Sequence, residues 1–346
     1  MRKNLMFLLL TMFVVILSAC GSESTGDDGD TSEDTSDNGT GEEGADDGET
    51  TTITYSLDQP SSHIWVEATN HFADLVEEKT NGSVKVEVHD SASLGTQREA
   101  LEGMQVGTMD GTVSLEPISG IVEEIGLFGI PYLFEDSEHL QTFLEEEPGQ
   151  ELNEMMTEEG LRPLTYFMRA PRQVSSNEPV ESVEDLEGMN IRVPESPTAP
   201  PAFEAMGARV VTMPVSEVYS ALEQNVIDAQ ENPLTQIYSD NFYEVQDHIA
   251  LTNHQYQAAY LLISEDTFQS LSEEEQNSIQ EAAQETQEFE SELQEKELEE
   301  AYNGLEEEGV EINEPDTSEF ADAASEAYGE YDDVMQEWID KAQEVN

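Results

Sequence analysis

Arginine is the residue type whose placement calls for a chemical reason in this chain. Of 346 residues, 12 are Lys or Arg and 78 are Asp or Glu. Beyond Arg2 there are six arginines, and five of them (Arg162, Arg169, Arg172, Arg192 and Arg209) fall between 162 and 209. Lys79, Lys85, Lys296 and Lys341 all lie outside that window. A guanidinium is a planar fork of donors that matches a carboxylate. In so acidic a chain, pairing with a neighbouring carboxylate explains any one arginine. Arg192 has a more demanding setting. Ile191 and Val193 flank it in a strand-like run, at the edge of a core, where a guanidinium needs a bidentate acceptor. An arginine in a cleft can take that acceptor from a carboxylate ligand.

Other chemistries lack their residues. His63, His71, His89, His139, His248 and His254 form no pair at metal-ligand spacing. Cys20 is the only cysteine, so no internal disulfide is possible. There is no Walker A sequence, no G-x-G-x-x-G and no G-x-S-x-G. Carboxylate pairs occur throughout, so no single pair marks a hydrolase. Neither catalysis nor a cofactor has positive support. The net charge of −66 argues against a nucleic-acid partner. Near-absence of lysine suggests adaptation to high salt, since at about 1 M salt charges screen one another beyond roughly 3 Å. Exported proteins of alkaliphiles share such acidity.

The elements that must position these arginines begin after residue 50. Arg2 and Lys3 precede the apolar run Leu5 to Leu17, a secretory signal too short for an ordinary membrane span. Leu17-Ser18-Ala19-Cys20-Gly21 resembles a bacterial lipoprotein cleavage box, which makes Cys20 a lipidation site. Residues 21–50 are acidic with Ala45 as the one apolar residue, a composition that predicts a disordered tether.

From residue 51 onward, strand patterns alternate with helix patterns. Strands are predicted at 52–57, 83–90, 109–115, 161–167, 189–194, 208–214 and 257–264, and helices at 62–80, 96–107, 198–207 and 215–225. Pro148-Gly149 interrupts helical segments at 137–160. Such alternation predicts an α/β architecture with largely parallel sheets. Ser272 and Glu275 match a capping box that opens a helix of about 30 residues, with room for a break, long enough to span more than one lobe. A closing helix is predicted over 318–343, with Tyr328, Tyr331, Met335 and Trp338 inward.

Two stretches carry a family resemblance. "SVEDLEGMNIRVPES", followed by "FEAMGARVVTMPVSEVYSALEQNVIDAQENPLTQIYSDNFYEVQDHIALTNHQY", resembles the solute-binding proteins of TRAP transporters (tripartite, ATP-independent periplasmic). "HFADLVEEKTNGSVKVEVHDSASLGTQREALEGMQVGTMDG" is similar to the opening unit of that family. The likeness covers about residues 52–340. Asn190 stands where lysine is usual, Arg209 where proline is common, and Asn225 and Ala229 where glycine is common.

The resemblance implies a two-lobe clamshell of the periplasmic-binding-protein type (type II-like), with a long helix spanning both lobes. The implied division is a lipoprotein signal peptide at 1–19, an acidic tether at 20–50, a first lobe from 51–169 and 258–297, and a second from 170–257 and 298–346. It implies that Arg192 binds the ligand carboxylate, that Arg172 assists in preference to Arg169, and that Asn232 places its amide beside them. Gln59, Trp65, Gln97 and Glu116 are the candidate contacts of the first lobe, and Tyr238 would close over the ligand. The expected protein is a monomeric, lipid-anchored extracytoplasmic receptor, not an enzyme. It captures a sugar acid or C4-dicarboxylate for a TRAP permease; the alternatives are a zwitterionic osmolyte such as ectoine, or a ligand-presenting sensor.

Overall fold

The computed structural model describes residues 50–194 and 196–345, so the expectations for the signal, Cys20 and the tether lie outside the described residues. The chain runs β1 Thr51–Ser56, α1 Ile64–Lys79, β2 Val84–His89, α2 Gln97–Val106, β3 Gly111–Ser114, α3 Ser137–Glu145, α4 Glu147–Glu158, β4 Leu161–Met168 and β5 Arg172–Ser176. It continues β6 Asn190–Val193, α5 Ala199–Ala205, β7 Arg209–Thr212, α6 Val215–Glu223, β8 Ala229–Pro233, α7 Leu234–Ser239, β9 His248–Gln255 and β10 Ala258–Ser264. It ends α8 Glu265–Ser270, α9 Glu273–Glu308, β11 Glu311–Asn313, α10 Thr317–Ser325 and α11 Asp333–Glu344.

The strands form two sheets, ordered β2-β1-β3-β10-β4 and β11-β9-β5-β8-β6-β7. Both are mixed rather than largely parallel. β10 runs antiparallel to β3 and β4, and β5 antiparallel to β8 and β9. The reason is the connectivity. β4 leads directly into β5 through residues 169–171, and β9 into β10 through 256–257, so each sheet receives one strand that arrives from the other. Four peptide steps from Met168 to Arg172 reach at most about 14 Å. The two crossings therefore bring one edge of each sheet together. At the first sheet that edge holds the carboxyl ends of β1, β3 and β4; at the second, the carboxyl ends of β6, β7, β8 and β9. Carboxyl ends of strands are where open α/β sheets bind ligands.

Each sheet is covered by its own core. Ile53, Phe72, Leu101, Val113, Phe143, Phe167 and Leu262 are among the buried residues of the first. The second sheet has two clusters, one around Ile191, Val193 and Phe203 and one around Leu222, Ile237 and Phe242. α9 serves both lobes: it contributes Ile279, Ala282 and Ala283 to the first core and Ala301 and Leu305 to the second. It runs 36 residues without a break, from the Ser272/Glu275 capping box to Gly309, whose φ of 89° gives the left-handed turn that stops it.

Pro148 lies in the first turn of α4, where its missing N–H costs nothing, so it starts a helix as well as ending one. The predicted closing helix is divided: α10, a 3-10 turn over Glu326–Glu330, and α11. α11 does not join the second lobe as grouped above. Met335, Trp338, Ile339 and Ala342 are buried in the first core, with the Trp338 ring edge-on to Phe143 at 6.4 Å. The lobes also touch directly. Thr198 Oγ1 donates to the Gly126 carbonyl at 3.1 Å, and Tyr331 Oη to the Thr198 carbonyl at 2.6 Å. A Cβ on Gly129 would fall 2.3 Å from Thr198 Oγ1, so only glycine permits this approach.

Candidate functional site

At the second-lobe edge the side chains are charged and almost fully buried. Arg192 is 3% exposed, Arg172 4% and Asn232 2%. Arg192 sits in β6 between β7 and β8, opposite Val211 and Gln230. Its Nε and Nη2 donate to the Met213 carbonyl at 3.0 and 2.7 Å, just beyond the end of β7, which fixes the plane of the guanidinium at the carboxyl edge. Arg172 opens β5, opposite Pro233 of β8 and Gln255 of β9.

The acceptor for Arg172 is a protein carboxylate that the sequence did not single out. Its Nε and Nη2 engage both oxygens of Glu231, and Nη2 also reaches Asn232 Oδ1 at 2.9 Å. His254 Nε2 lies 3.1 Å from Glu231 Oε2. Burial alone would push the Glu231 carboxyl up. The Arg172 charge and the hydrogen bonds from His254 and Arg172 outweigh that and hold it at about 2. Burial lowers His254 despite the opposing pull of Glu231, so its imidazole is neutral. Asn232 uses its other end too, its Nδ2 donating to Gln230 Oε1 at 2.6 Å. β8, "AQENP", is thus a buried strand carrying three consecutive polar residues, each hydrogen-bonded. Buried networks whose members bond one another hold their geometry, because any displacement exposes an unpaired group to a low dielectric.

The first-lobe edge is looser. Gln97, the first residue of α2, donates to Asp58 Oδ1 at 3.1 Å and accepts from Ser114 Oγ at 3.0 Å. Gln59 Oε1 is buried with no hydrogen-bond partner among the described residues. Glu116 follows β3 and has a half-exposed side chain (53%). Trp65, in the first turn of α1, carries the Arg169 guanidinium over its ring at 5.9 Å. Arg169 lies in the β4–β5 crossing. Arg169 and Arg172 feel one another: the Arg172 charge, after burial, helps to lower Arg169. Tyr238 is not brought to these residues. Its ring packs over Gly304 of α9, where an added Cβ would fall 2.5 Å away, and stacks on Tyr243 at 5.6 Å.

Sequence reading missed Glu231 and His254. Both lie in the stretch that carries the family resemblance, the Glu in "QENP" and the His in "TNHQ", but that likeness gave neither of them a role. Among the described residues no group of three or more His, Cys, Asp or Glu side chains could hold a metal ion, and no helix is long and apolar enough to cross a membrane.

Two α/β lobes joined by short crossings, with arginines gathered where their strand ends meet, define a binding protein of the two-lobe class. Comparison with known proteins places it within that class. The family model for bacterial extracellular solute-binding protein, family 7, matches residues 55–333. The chain belongs to this family, that of the TRAP solute-binding proteins.

A solute-binding protein of Roseobacter denitrificans is 36% identical over 266 residues, covering 77% of this chain and 82% of the relative. The 2,3-diketo-L-gulonate-binding periplasmic protein of Escherichia coli is 34% identical over 266 residues, covering 76% and 80%. The crystal structure of the Roseobacter denitrificans protein, with bound L-galactonate, superposes with a TM-score of 0.74 at 33% identity, covering 85% of this chain and 99% of that one. A TRAP solute-binding protein of Ochrobactrum anthropi reaches a TM-score of 0.80 at 28% identity, covering 86% and 96%.

Proposed function

We propose that this protein is the receptor of a TRAP uptake system for a small carboxylate-bearing solute of the sugar-acid or C4-dicarboxylate type. The observation that carries the reading is the convergence of Arg192, Arg172 and Asn232 on the second-lobe edge, in a chain with 12 basic residues. Arg192 takes the ligand carboxylate, and Arg172, whose Nη1 makes no hydrogen bond to the described residues, assists. A charge-assisted bond contributes about 1.5–3 kcal/mol, and a forked pair fixes orientation as well. Ligand bridging the two edges stabilises the closed arrangement, and a permease collects the solute. No chemistry is done on it.

The relatives support the ligand class: one structure holds L-galactonate, and another relative is named for 2,3-diketo-L-gulonate. A zwitterionic osmolyte would want an aromatic cage for its cationic group. Trp338 is buried in the first core under Lys341, and the Trp65 face is occupied by Arg169, which disfavours that alternative.

Acylated Cys20 and the acidic stretch after it tether the monomeric receptor outside the cytoplasmic membrane, each buried CH₂ of lipid contributing about 0.8 kcal/mol. The charge of −66 suits a saline medium.

A thermal-shift screen of organic and sugar acids on residues 51–346, in about 1–2 M salt, tests the reading. An acid at about 100 times its Kd adds about 2.7 kcal/mol of stability. At least one acid is expected to raise the melting temperature. A folded protein that responds to none contradicts the reading.

A further inference from the structure

We propose that Arg169, with Glu116 and Gln257, forms a first-lobe subsite that reads hydroxyl groups, so that the receptor selects a polyhydroxylated acid over a plain mono- or dicarboxylate. This rests on the reading above and narrows its ligand class.

Arg169 is fixed by two restraints. Its backbone N–H donates to the Gln257 carbonyl at 2.9 Å, tying the two interlobe crossings together. Its guanidinium lies over the Trp65 ring, within the range of a cation–π contact. Yet only one corner of its fork is used. Nη1 donates to Gln257 Oε1 at 3.0 Å and reaches Glu116 Oε1 at 3.5 Å, while Nε and Nη2 make no hydrogen bond to the described residues. Arg162 and Arg172 instead engage both oxygens of their glutamates. The Arg169 side chain is 20% exposed, too covered for bulk water to solvate the whole fork. Burial, with the Arg172 charge adding to it, disfavours its charged form, as expected of an under-satisfied guanidinium.

The surrounding groups select the kind of partner. Glu116 Oε1 is shared at long range between Arg169 and Gln257, at 3.5 and 3.4 Å, and its Oε2 makes no hydrogen bond to the described residues. A hydroxyl both donates and accepts, so it can bridge a guanidinium N–H and a carboxylate oxygen at once. A second ligand carboxylate would bring like charge against Glu116. At the same edge the buried Gln59 Oε1 lacks a donor.

The test uses matched acids on the same protein: L-galactonate, hexanoate (the same chain length without hydroxyls) and succinate, titrated calorimetrically. Wild type is expected to prefer L-galactonate to both by about 100-fold or more. Arg169→Met is expected to weaken L-galactonate by about 10- to 100-fold and leave hexanoate unchanged. Glu116→Gln, at a half-exposed position with little bearing on folding, should show the same selective loss. Equal weakening of all acids by both variants, or no change, would overturn the inference while leaving the carboxylate reading intact. A folded wild type that binds none of the three and responds to no acid in the thermal-shift screen would overturn both.

Discussion

The two edges that meet between the lobes are built on opposite principles. On the second lobe, Arg172, Glu231, Asn232 and His254 are buried and engaged with one another, and Arg192 is held by the Met213 carbonyl. On the first lobe, Glu116 is half exposed, Arg169 uses one corner of its fork and Gln59 has an orphan oxygen. The first arrangement suits a group that every ligand shares, because a preformed charged clamp loses little freedom on binding. The second suits the variable remainder of a ligand, which must supply the partners the protein lacks. On this account the second lobe captures and the first lobe discriminates.

Removing Glu231 attacks the comparison hardest. Glu231→Ala leaves a buried guanidinium uncompensated, at a cost of about 3–5 kcal/mol, and should lower the melting temperature by roughly 5–8 °C. The same group sets an acid limit. Its folded pKa is depressed from 4.5 to about 2, so the stability it contributes is complete above 4.5 and is lost as pH falls towards 2. His254, buried neutral, favours the unfolded chain from its ordinary 6.5 downward. Melting curves of wild type should therefore fall below about pH 6.5, and those of Glu231→Gln should be flatter between 4.5 and 2.

Glu290 tests the helix that joins the regions. It is buried in α9, between the residues serving the first core and those serving the second, and burial, with Glu297 adding to it, raises its carboxyl to about 8. A raised carboxyl is neutral in the fold and ionised when unfolded, so stability is lost as pH climbs from 4.5 through 8. Glu290→Gln should add up to about 4 kcal/mol at pH 8 and nothing at pH 4, read from melting temperatures.

Tyr238→Ala should cost about 1–2 kcal/mol by uncovering Gly304 and leave acid affinity unchanged; a tenfold loss of affinity would return Tyr238 to the ligand. The smallest effect belongs to Gln59→Met. Deleting an orphan acceptor should stabilise the unliganded protein by about 1 kcal/mol, read from its melting temperature.

How much of this was legible follows from the range over which each signal acts. The strand around Arg192 and the capping box of α9 are local patterns, and the sequence displays them. β5, β8 and β9 were not read as strands. "RQVSS" and "AQENP" carry buried polar side chains whose partners lie on neighbouring strands, so neither alternation nor β-branched residues mark them. The Arg172–Glu231 pair spans 59 positions, and acidic residues are too common here for one to stand out. α11 shows an apolar stripe, but the stripe does not say which lobe receives it.

The most direct measurement couples the ligand carboxylate to Arg192. An acid that binds is compared with its alditol, in which the carboxylate is reduced to an alcohol, on wild type and on Arg192→Ala by calorimetric titration. Wild type is expected to favour the acid by about 100-fold or more, and Arg192→Ala to bind acid and alditol within about threefold of each other. An Arg192→Ala protein that keeps the full preference for the acid would contradict the assignment of the carboxylate to the second lobe.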